Sequence, residues 1–304
     1  MTVRTIGFVG IGRMGSRMAP HVASAGFPVH VYDLDPQAAR AVARTHNGIV
    51  VEDSPRAVAA AVDAVIAMLP AGPDVRAATL GEAGLAEGFG AGDVLIDMSS
   101  SQPWLTVELA AELKRRGIEM IDSPVSGGID GAEAGTLTLM VGGDDAVVER
   151  CLPALKPMAG HIFRTGAVGS GHAMKTLNNL LSGMNAMAAA EAFLIGTRFG
   201  LDPEVMADVI NESTGMNSAT RRSMKQQVIS RKFAGGFAWD LKFKDYTIAM
   251  ELARRTRTPV PLSGMAFQLN EAAQIWMGDT EGKTSAEIFR FMEHLAGSEI
   301  RRKG

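Results

Sequence analysis

Lys175, Asn178 and Asn179 stand at i, i+3 and i+4, on one face of any helix that carries them. An ammonium on the inner side of a helix is costly unless it is partnered or sheds its proton. A lysine whose pKa falls by desolvation can act as a general acid and base near neutral pH. Amides one turn later can hold such an amine and hydrogen-bond a substrate oxygen without adding charge. Met174, Leu177 and Leu181 lie on or near this face and are apolar, which implies that it is buried. A snorkelling lysine beside solvated asparagines fits the same letters. Gly169-Ser170-Gly171 at the entry of the run, with Ser170 as a candidate cap, brings the two readings level.

Gly10-Ile11-Gly12-Arg13-Met14-Gly15 matches GxGxxG, follows a buried-strand pattern and opens a helical one, and Asp33 ends the next strand. This context is what a dinucleotide fingerprint requires. The first glycine allows the tight turn, the second lets backbone approach a pyrophosphate, and the third lets helix and strand pack. The helix start then offers N–H groups and a positive dipole end to the phosphates. Asp33 can accept from a ribose diol and would repel a 2′-phosphate, so NAD is favoured over NADP. Arg13 either contacts phosphate or is solvated. Met68-Leu69-Pro70 ends a third strand and can form an apolar shelf against the cofactor, or only a turn. Ser100 can hydrogen-bond the cofactor, or Ser99 to Ser101 can cap a helix beginning near Pro103.

Ser126-Gly127-Gly128 closes another strand and can present a hydroxyl and successive N–H groups to a carboxylate. The alternative is a plain flexible loop. Its expected place is the same sheet edge as the first glycine turn. Asn217, Arg221 and Arg222 are a candidate lining for the far end of a substrate. One arginine could pair a second anionic group there, although two solvated helix arginines is the simpler reading.

These groups need a scaffold that brings strand ends together. Through residue 166 strands and helices alternate, which implies an α/β domain with a doubly wound, mostly parallel sheet; LTLMVGG and HIFRTG read as late edge strands. Asp35-Pro36 starts the second helix as cap and first residue. From 167 to 304 the pattern is all helical, opened by a run from about 169 to 199 that joins the two domains and closes at Gly200.

Composition excludes several classes. Thirty basic and 33 acidic residues leave a formal charge of −3, with no pull toward nucleic acid or anionic membrane. The six histidines are scattered without a ligand pair, so no metal site is expected. One cysteine, Cys151, suits a reducing, cytoplasmic setting. The first residues lack a signal-peptide pattern, and no stretch reads as the ~18 apolar residues of a membrane span.

Taken together, GFVGIGRMGSRMA, MLP, DMSSSQP, DSPVSGGIDGAEAGTLTLMVGG, GSGHAMKTLNN and KDYTIAMELA resemble the β-hydroxyacid dehydrogenase family over nearly the whole chain. The resemblance implies a Rossmann-like domain followed by an all-α domain on a long interdomain helix, in a homodimer or homotetramer. It implies a lysine acid/base at Lys175 with Asn179 orienting the substrate, and a carboxylate loop at Ser126, Gly127 and Gly128. Gly10, Gly12, Arg13, Met14, Gly15, Asp33, Met68, Leu69, Pro70 and Ser100 would bind the cofactor, with Lys244 of the Lys244-Asp245 pair near the nicotinamide. Ser100 stands where threonine is more usual, and Ser123 where alanine is common. The implied reaction is hydride transfer between NAD(P) and a small 3-hydroxy acid, in the manner of 3-hydroxyisobutyrate dehydrogenase. Reductases of dianionic semialdehydes (2-(hydroxymethyl)glutarate, tartronate semialdehyde or sulfolactaldehyde types) are the alternative, and FAGGFAWDLKFKD is most similar to the first of these. A dinucleotide-binding protein without turnover is the alternative from another class.

Overall fold

The computed structural model describes residues 2–234 and 236–302 and divides into two compact units, Met1–Lys175 and Thr176–Gly304. Unit 1 is a nine-stranded sheet in the order β3-β2-β1-β4-β5-β6-β8-β7, with β9 paired to β8. Strands β1 (Ile6–Val9), β2 (Val29–Tyr32), β3 (Ile49–Val51), β4 (Ala64–Ala67), β5 (Val94–Asp97) and β6 (Glu119–Asp122) are parallel, so their C-terminal ends share one edge. Strand β8 (Leu137–Gly142) runs antiparallel to β6 and to β7 (Val125–Ser126), and β9 (Ala159–Gly166) lies parallel to β8. This is the doubly wound α/β fold expected from the alternating pattern, with its strand order switching between β1 and β4.

The strands read as continuous apolar runs because helices cover both sheet faces. On one face Phe8, Val31 and Ile66 pack against Met18 and Val22 of α1 (Gly15–Ser24) and Val148 of α7 (Asp145–Leu155). On the other, Val65 and Leu95 pack against Val58 of α3 (Pro55–Ala61), Val75 of α4 (Gly72–Leu80) and Leu109 and Leu113 of α5 (Pro103–Lys114). The caps follow one rule. Asp35 accepts from Gln37 N–H ahead of α2 (Pro36–Thr45), and Ser54, Asp144 and Asp202 do the same for α3, α7 and α9 (Pro203–Asn211). The short helix α6 (Gly128–Ala134) follows the second glycine pair. Strand β3 and helices α3 and α7 escaped the pattern reading: the first two are three and seven residues long, and Pro153 interrupts the third.

Unit 2 is helical: α9, α10 (Trp239–Arg255), α11 (Pro261–Met277) and α12 (Glu287–Ala296) accompany α8 (Ser170–Phe199), within which the division between units falls. Phe193, Trp239, Ile288, Phe289 and Phe291 form its core. The stretch Ala219–Ile229, expected as an α-helix, is instead a π-helix. Helix α8 also corrects the membrane reading. By length and composition alone it could span a bilayer, yet more than half of its most apolar window is buried within the protein, as in a core helix.

Candidate active site

Three glycines of the N-terminal turn have three distinct causes. Gly10 has φ +98°, and a Cβ there would lie 2.3 Å from the Met68 carbonyl oxygen at the end of β4. A Cβ on buried Gly15 would lie 2.0 Å from the Gly10 carbonyl oxygen, so turn and helix could not close. A Cβ on exposed Gly12 would meet nothing within 4 Å. The turn is thus tight at both ends and open in the middle, and α1 starts at Gly15 with no side-chain cap on its N–H groups. Arg13 is exposed, and Met14 precedes the helix half-buried.

Asp33 is fastened to this turn. Its Oδ2 accepts from Ile11 N–H at 2.6 Å and its Oδ1 from Asp35 N–H at 2.8 Å. A carboxylate has about four acceptor positions, so half remain for a ribose diol. Leu34, beside it, is an exposed apolar residue that pattern reading passed over. An open glycine turn, an uncapped helix start and an anchored acid with spare lone pairs fit a dinucleotide.

The other edge loops lie at the same ends of the parallel strands. Met68 and Leu69 are half-buried and Pro70 exposed. Leu69 N–H donates to Ser99 Oγ, Ser99 N–H donates to Asp97 Oδ1, and Ser101 Oγ donates to Asp97 Oδ2. These serines therefore tie β4 to β5 and do not cap α5, whose cap position is Gln102. Ser100 is half-buried between them. Ser126 pairs with Thr138 on β8, and Gly127 and Gly128 follow it exposed at φ +132° and +66°.

The start of α8 is held by a residue the motif search did not single out. Asp122, fully buried at the end of β6, accepts from Gly169 N–H at 2.6 Å and His172 N–H at 2.7 Å. Burial raises its pKa above the ordinary value, against the opposing pull of the His172 ring and the two N–H donors. His172 is also buried, with Nδ1 2.8 Å from Thr106 Oγ1. Ser170, expected as the cap, hydrogen-bonds Thr165 Oγ1 instead.

Beyond this anchor, the face carrying Lys175 is not the buried one. Met174, Leu177 and Leu181 are 44%, 47% and 59% exposed, which overturns the expectation of an apolar cover. The buried stripe of α8 is His172, Thr176, Leu180 and Gly183, and Lys175, Asn178 and Asn179 lie half-buried beside it. Asn178 Nδ2 donates to Asn179 Oδ1, and Asn179 Nδ2 donates to Asp245 Oδ2 at 2.5 Å. Lys244 Nζ lies 3.8 Å from Asp245 Oδ1. Asn179 and the Lys244-Asp245 pair are thus brought together on α8 and α10.

The proposed distal residues are different in kind. Asn217 Oδ1 accepts from Ala219 and Thr220 N–H, capping the π-helix, and Arg221 and Arg222 are exposed. Among the described residues of unit 2 the buried cation is Lys242, which burial alone lowers to about pKa 8. Its helical phase was visible in the sequence: Trp239, Lys242, Asp245 and Tyr246 fall on the core face of α10.

Two family models match the chain. The NAD-binding domain of 6-phosphogluconate dehydrogenase covers residues 5–166, and the NAD-binding model of NADP-dependent 3-hydroxyisobutyrate dehydrogenase covers residues 169–289. The chain is 38% identical over 295 residues to 2-(hydroxymethyl)glutarate dehydrogenase of Eubacterium barkeri, covering 97% of each. The chain belongs to the β-hydroxyacid dehydrogenase family. Another member, 3-hydroxyisobutyrate dehydrogenase of Pseudomonas aeruginosa, is 36% identical, covering 87% of this chain and 90% of that one. A solved structure of Mycobacterium tuberculosis 3-hydroxyisobutyrate dehydrogenase with L-serine superposes with a TM-score of 0.86. That match is 32% identical and covers 95% of this chain and 99% of that one. As a β-hydroxyacid dehydrogenase, this protein is an NAD(P)-dependent oxidoreductase of hydroxy acids, with NAD as its cofactor.

Proposed function

We propose that this enzyme interconverts a small 3-hydroxy acid and its semialdehyde, with Lys175 as general acid and base. The observation that carries the reading is the ordered run along one side of α8: Lys175, then Asn179 fixed by Asp245. NAD, when bound, would supply the chemistry of hydride exchange with the carbinol carbon. Gly10, Gly12, Arg13, Met14 and Gly15 would hold its pyrophosphate, Asp33 its ribose, and Met68, Leu69, Pro70 and Ser100 would flank it; Lys244 is a further candidate contact from the family resemblance. Ser126 Oγ and the Gly127 and Gly128 N–H groups hold the substrate carboxylate. In oxidation the neutral Lys175 amine takes the hydroxyl proton, and in reduction its ammonium returns that proton to the forming alkoxide oxygen. The Asn179 amide keeps that oxygen in line with the amine, and is itself kept from rotating by the Asp245 carboxylate.

The relatives' names support this substrate class, and so does the resemblance of the whole motif set. The reaction takes place in a homo-oligomer: Ile195, Phe199, Val205 and Val209 leave an apolar surface on α8 and α9 that suits a second copy. A buried free Cys151 fits a reducing, cytoplasmic compartment. The test is a panel of 3-hydroxyisobutyrate, L-serine and 2-(hydroxymethyl)glutarate with NAD, read at the absorbance of NADH. Lys175→Ala should lose roughly 10³-fold or more in kcat, while NADH binding by fluorescence titration stays near wild type. Normal turnover by that variant, or no turnover of any panel member by the wild type, removes the reading.

A further inference from the structure

Unit 1 buries a histidine that the chemistry above does not use. His172 is 1% exposed, in the first turn of α8, and its ring stands between two carboxylates. Nε2 is 3.8 Å from Asp97 Oδ2, and Nδ1 is 3.5 Å from Asp122 Oδ2. Asp97 closes β5, Asp122 closes β6, and the two are partners in the sheet register, so two buried acids lie side by side. Acids so placed repel unless a group of opposite sense is set between them. Burial first, and then Asp97, raise the Asp122 pKa, and the His172 ring pulls against both. Thr106 Oγ1 of α5 donates to the Gln102 carbonyl, so it accepts from His172 Nδ1–H at 2.8 Å.

Each carboxylate leads to a different part of the candidate site. Asp97 accepts from Ser99 N–H and Ser101 Oγ–H, and Ser99 Oγ accepts from Leu69 N–H, so this acid holds the loops that end β4 and β5. Asp122 accepts from Gly169 N–H and His172 N–H, so it holds the first turn of α8. That turn has no slack. A Cβ on Gly171 would lie 2.2 Å from the Met140 carbonyl oxygen of β8 and 2.8 Å from Asp122 Oδ2. Three residues after His172, about 4.5 Å of helical rise, stands Lys175. All of these residues belong to unit 1. The ring thus joins the loops assigned to the cofactor to the turn that carries the acid/base.

We propose that His172 is a positioning residue for the acid/base: standing between Asp97 and Asp122, it fixes the first turn of α8 against the loops that end β4 and β5, and so sets where the Lys175 amine meets the carbinol. The inference rests on the reading of Lys175 given above. His172 takes no proton from the substrate and acts only through the turn it holds. A misplacement of about 1 Å at a reacting group can cost on the order of 10²-fold in rate. Ligand affinity depends on other contacts, those of the Gly10–Gly15 turn and of Ser126-Gly127-Gly128. Loosening the ring should therefore slow the chemistry and spare the binding.

The experiment compares wild type, His172→Leu, His172→Gln and Thr106→Val on the 3-hydroxy acid of the panel above that wild type oxidises fastest. Steady-state kinetics with NAD, the solvent deuterium isotope effect on kcat and NADH fluorescence titration are measured for each. His172→Leu fills the volume of the ring without its nitrogens, and should lower kcat roughly 30-fold with KM and NADH affinity within about threefold of wild type. Its solvent isotope effect should rise, because proton transfer to a displaced amine becomes the slower step; a smaller folded fraction would leave that effect where it was. His172→Gln keeps an amide donor for Thr106 Oγ1 and should recover about fivefold or more of the lost kcat. Thr106→Val keeps its shape and removes the acceptor of the ring, so it should repeat the pattern at smaller amplitude, whether or not the leucine variant folds. Unchanged kcat in both His172→Leu and Thr106→Val, equal losses in the leucine and glutamine variants, an unmoved isotope effect, or NADH affinity falling in step with kcat overturns the proposal and leaves the reading of Lys175 standing. Normal turnover by Lys175→Ala overturns that reading first.

Discussion

The glycine turn of unit 1 and the α8–α10 face of unit 2 reach function by opposite routes. At the turn, the chemistry is in the backbone: N–H groups placed by φ values and approaches that only glycine allows, around Gly10 and Gly15. On α8 and α10 the backbone is ordinary helix, and the chemistry is in side chains whose state depends on what surrounds them. Asn179 is fixed because Asp245 faces it, and Lys242 is perturbed because burial strips its ammonium of water. The turn depends on close approaches that only glycine allows at its two ends, whereas the helix face depends on which side chains stand opposite one another.

That contrast breaks most visibly within the turn itself. Gly15→Ala puts a methyl against the Gly10 carbonyl, which is backbone and cannot swing away. It should cost about 3 kcal/mol, or roughly 6–12 °C in Tm. Gly12→Ala, facing open space three residues earlier, should melt within about 1 °C of wild type yet bind NADH on the order of 10-fold more weakly, because its methyl occupies the approach path. Thermal melts and fluorescence titration of both variants separate folding from binding. Two variants that behave alike would mean that the turn is not divided into structural and ligand-facing glycines.

The same contrast explains what the letters disclosed. Positions where one residue type alone satisfies the backbone were legible: the glycine turn, the Asp35-Pro36 helix start, the acid closing β2. The parallel sheet followed from strand runs that are apolar on both faces. Lys175 and Asn179 were legible as a spacing, but their surroundings were misjudged. Apolar Met174, Leu177 and Leu181 read as cover and are exposed, because a helix with apolar residues on several sides does not say which side is inward. Lys242 was missed for the complementary reason. A lysine is expected at the surface, and only the phase set by Trp239 and Tyr246 places it inside. Asp122 read as a strand end because its partners, Gly169 and His172, lie 47 and 50 residues away.

Asp122 stands between the two cases, a side chain serving backbone N–H groups. Asp122→Asn keeps one acceptor oxygen and turns an NH₂ toward the other N–H, so about 2 kcal/mol should be lost. The pH dependence has a defined sign. Burial raises the folded pKa above the ordinary 3.8, so the folded state holds the proton more tightly. The stability gained this way is complete below pH ~4 and is lost as pH rises through the raised value. Melting temperatures of wild type and variant from pH 4 to 7 should therefore converge as pH rises. A gap that widens instead would mean that the anchor of α8 works as an ionised carboxylate favoured by its donors over its burial.

Lys242 carries the comparison to its smallest and most telling effect. Its pKa falls from 10.5 in the unfolded chain to about 8 in the fold, so between those values the unfolded state binds more protons. Wild-type stability from this group must then rise with pH across that window, and at pH 7 the full penalty is present. Lys242→Met removes the charge and keeps most of the stem. It should be more stable than wild type at pH 7, by on the order of 1–2 kcal/mol once the lost contact with Tyr246 is set against the relieved desolvation. The advantage should fade toward pH 10.5 in denaturant titrations. If Lys242→Met gains nothing at pH 7, the protein already compensates the buried ammonium, and its lowered pKa has another cause than burial.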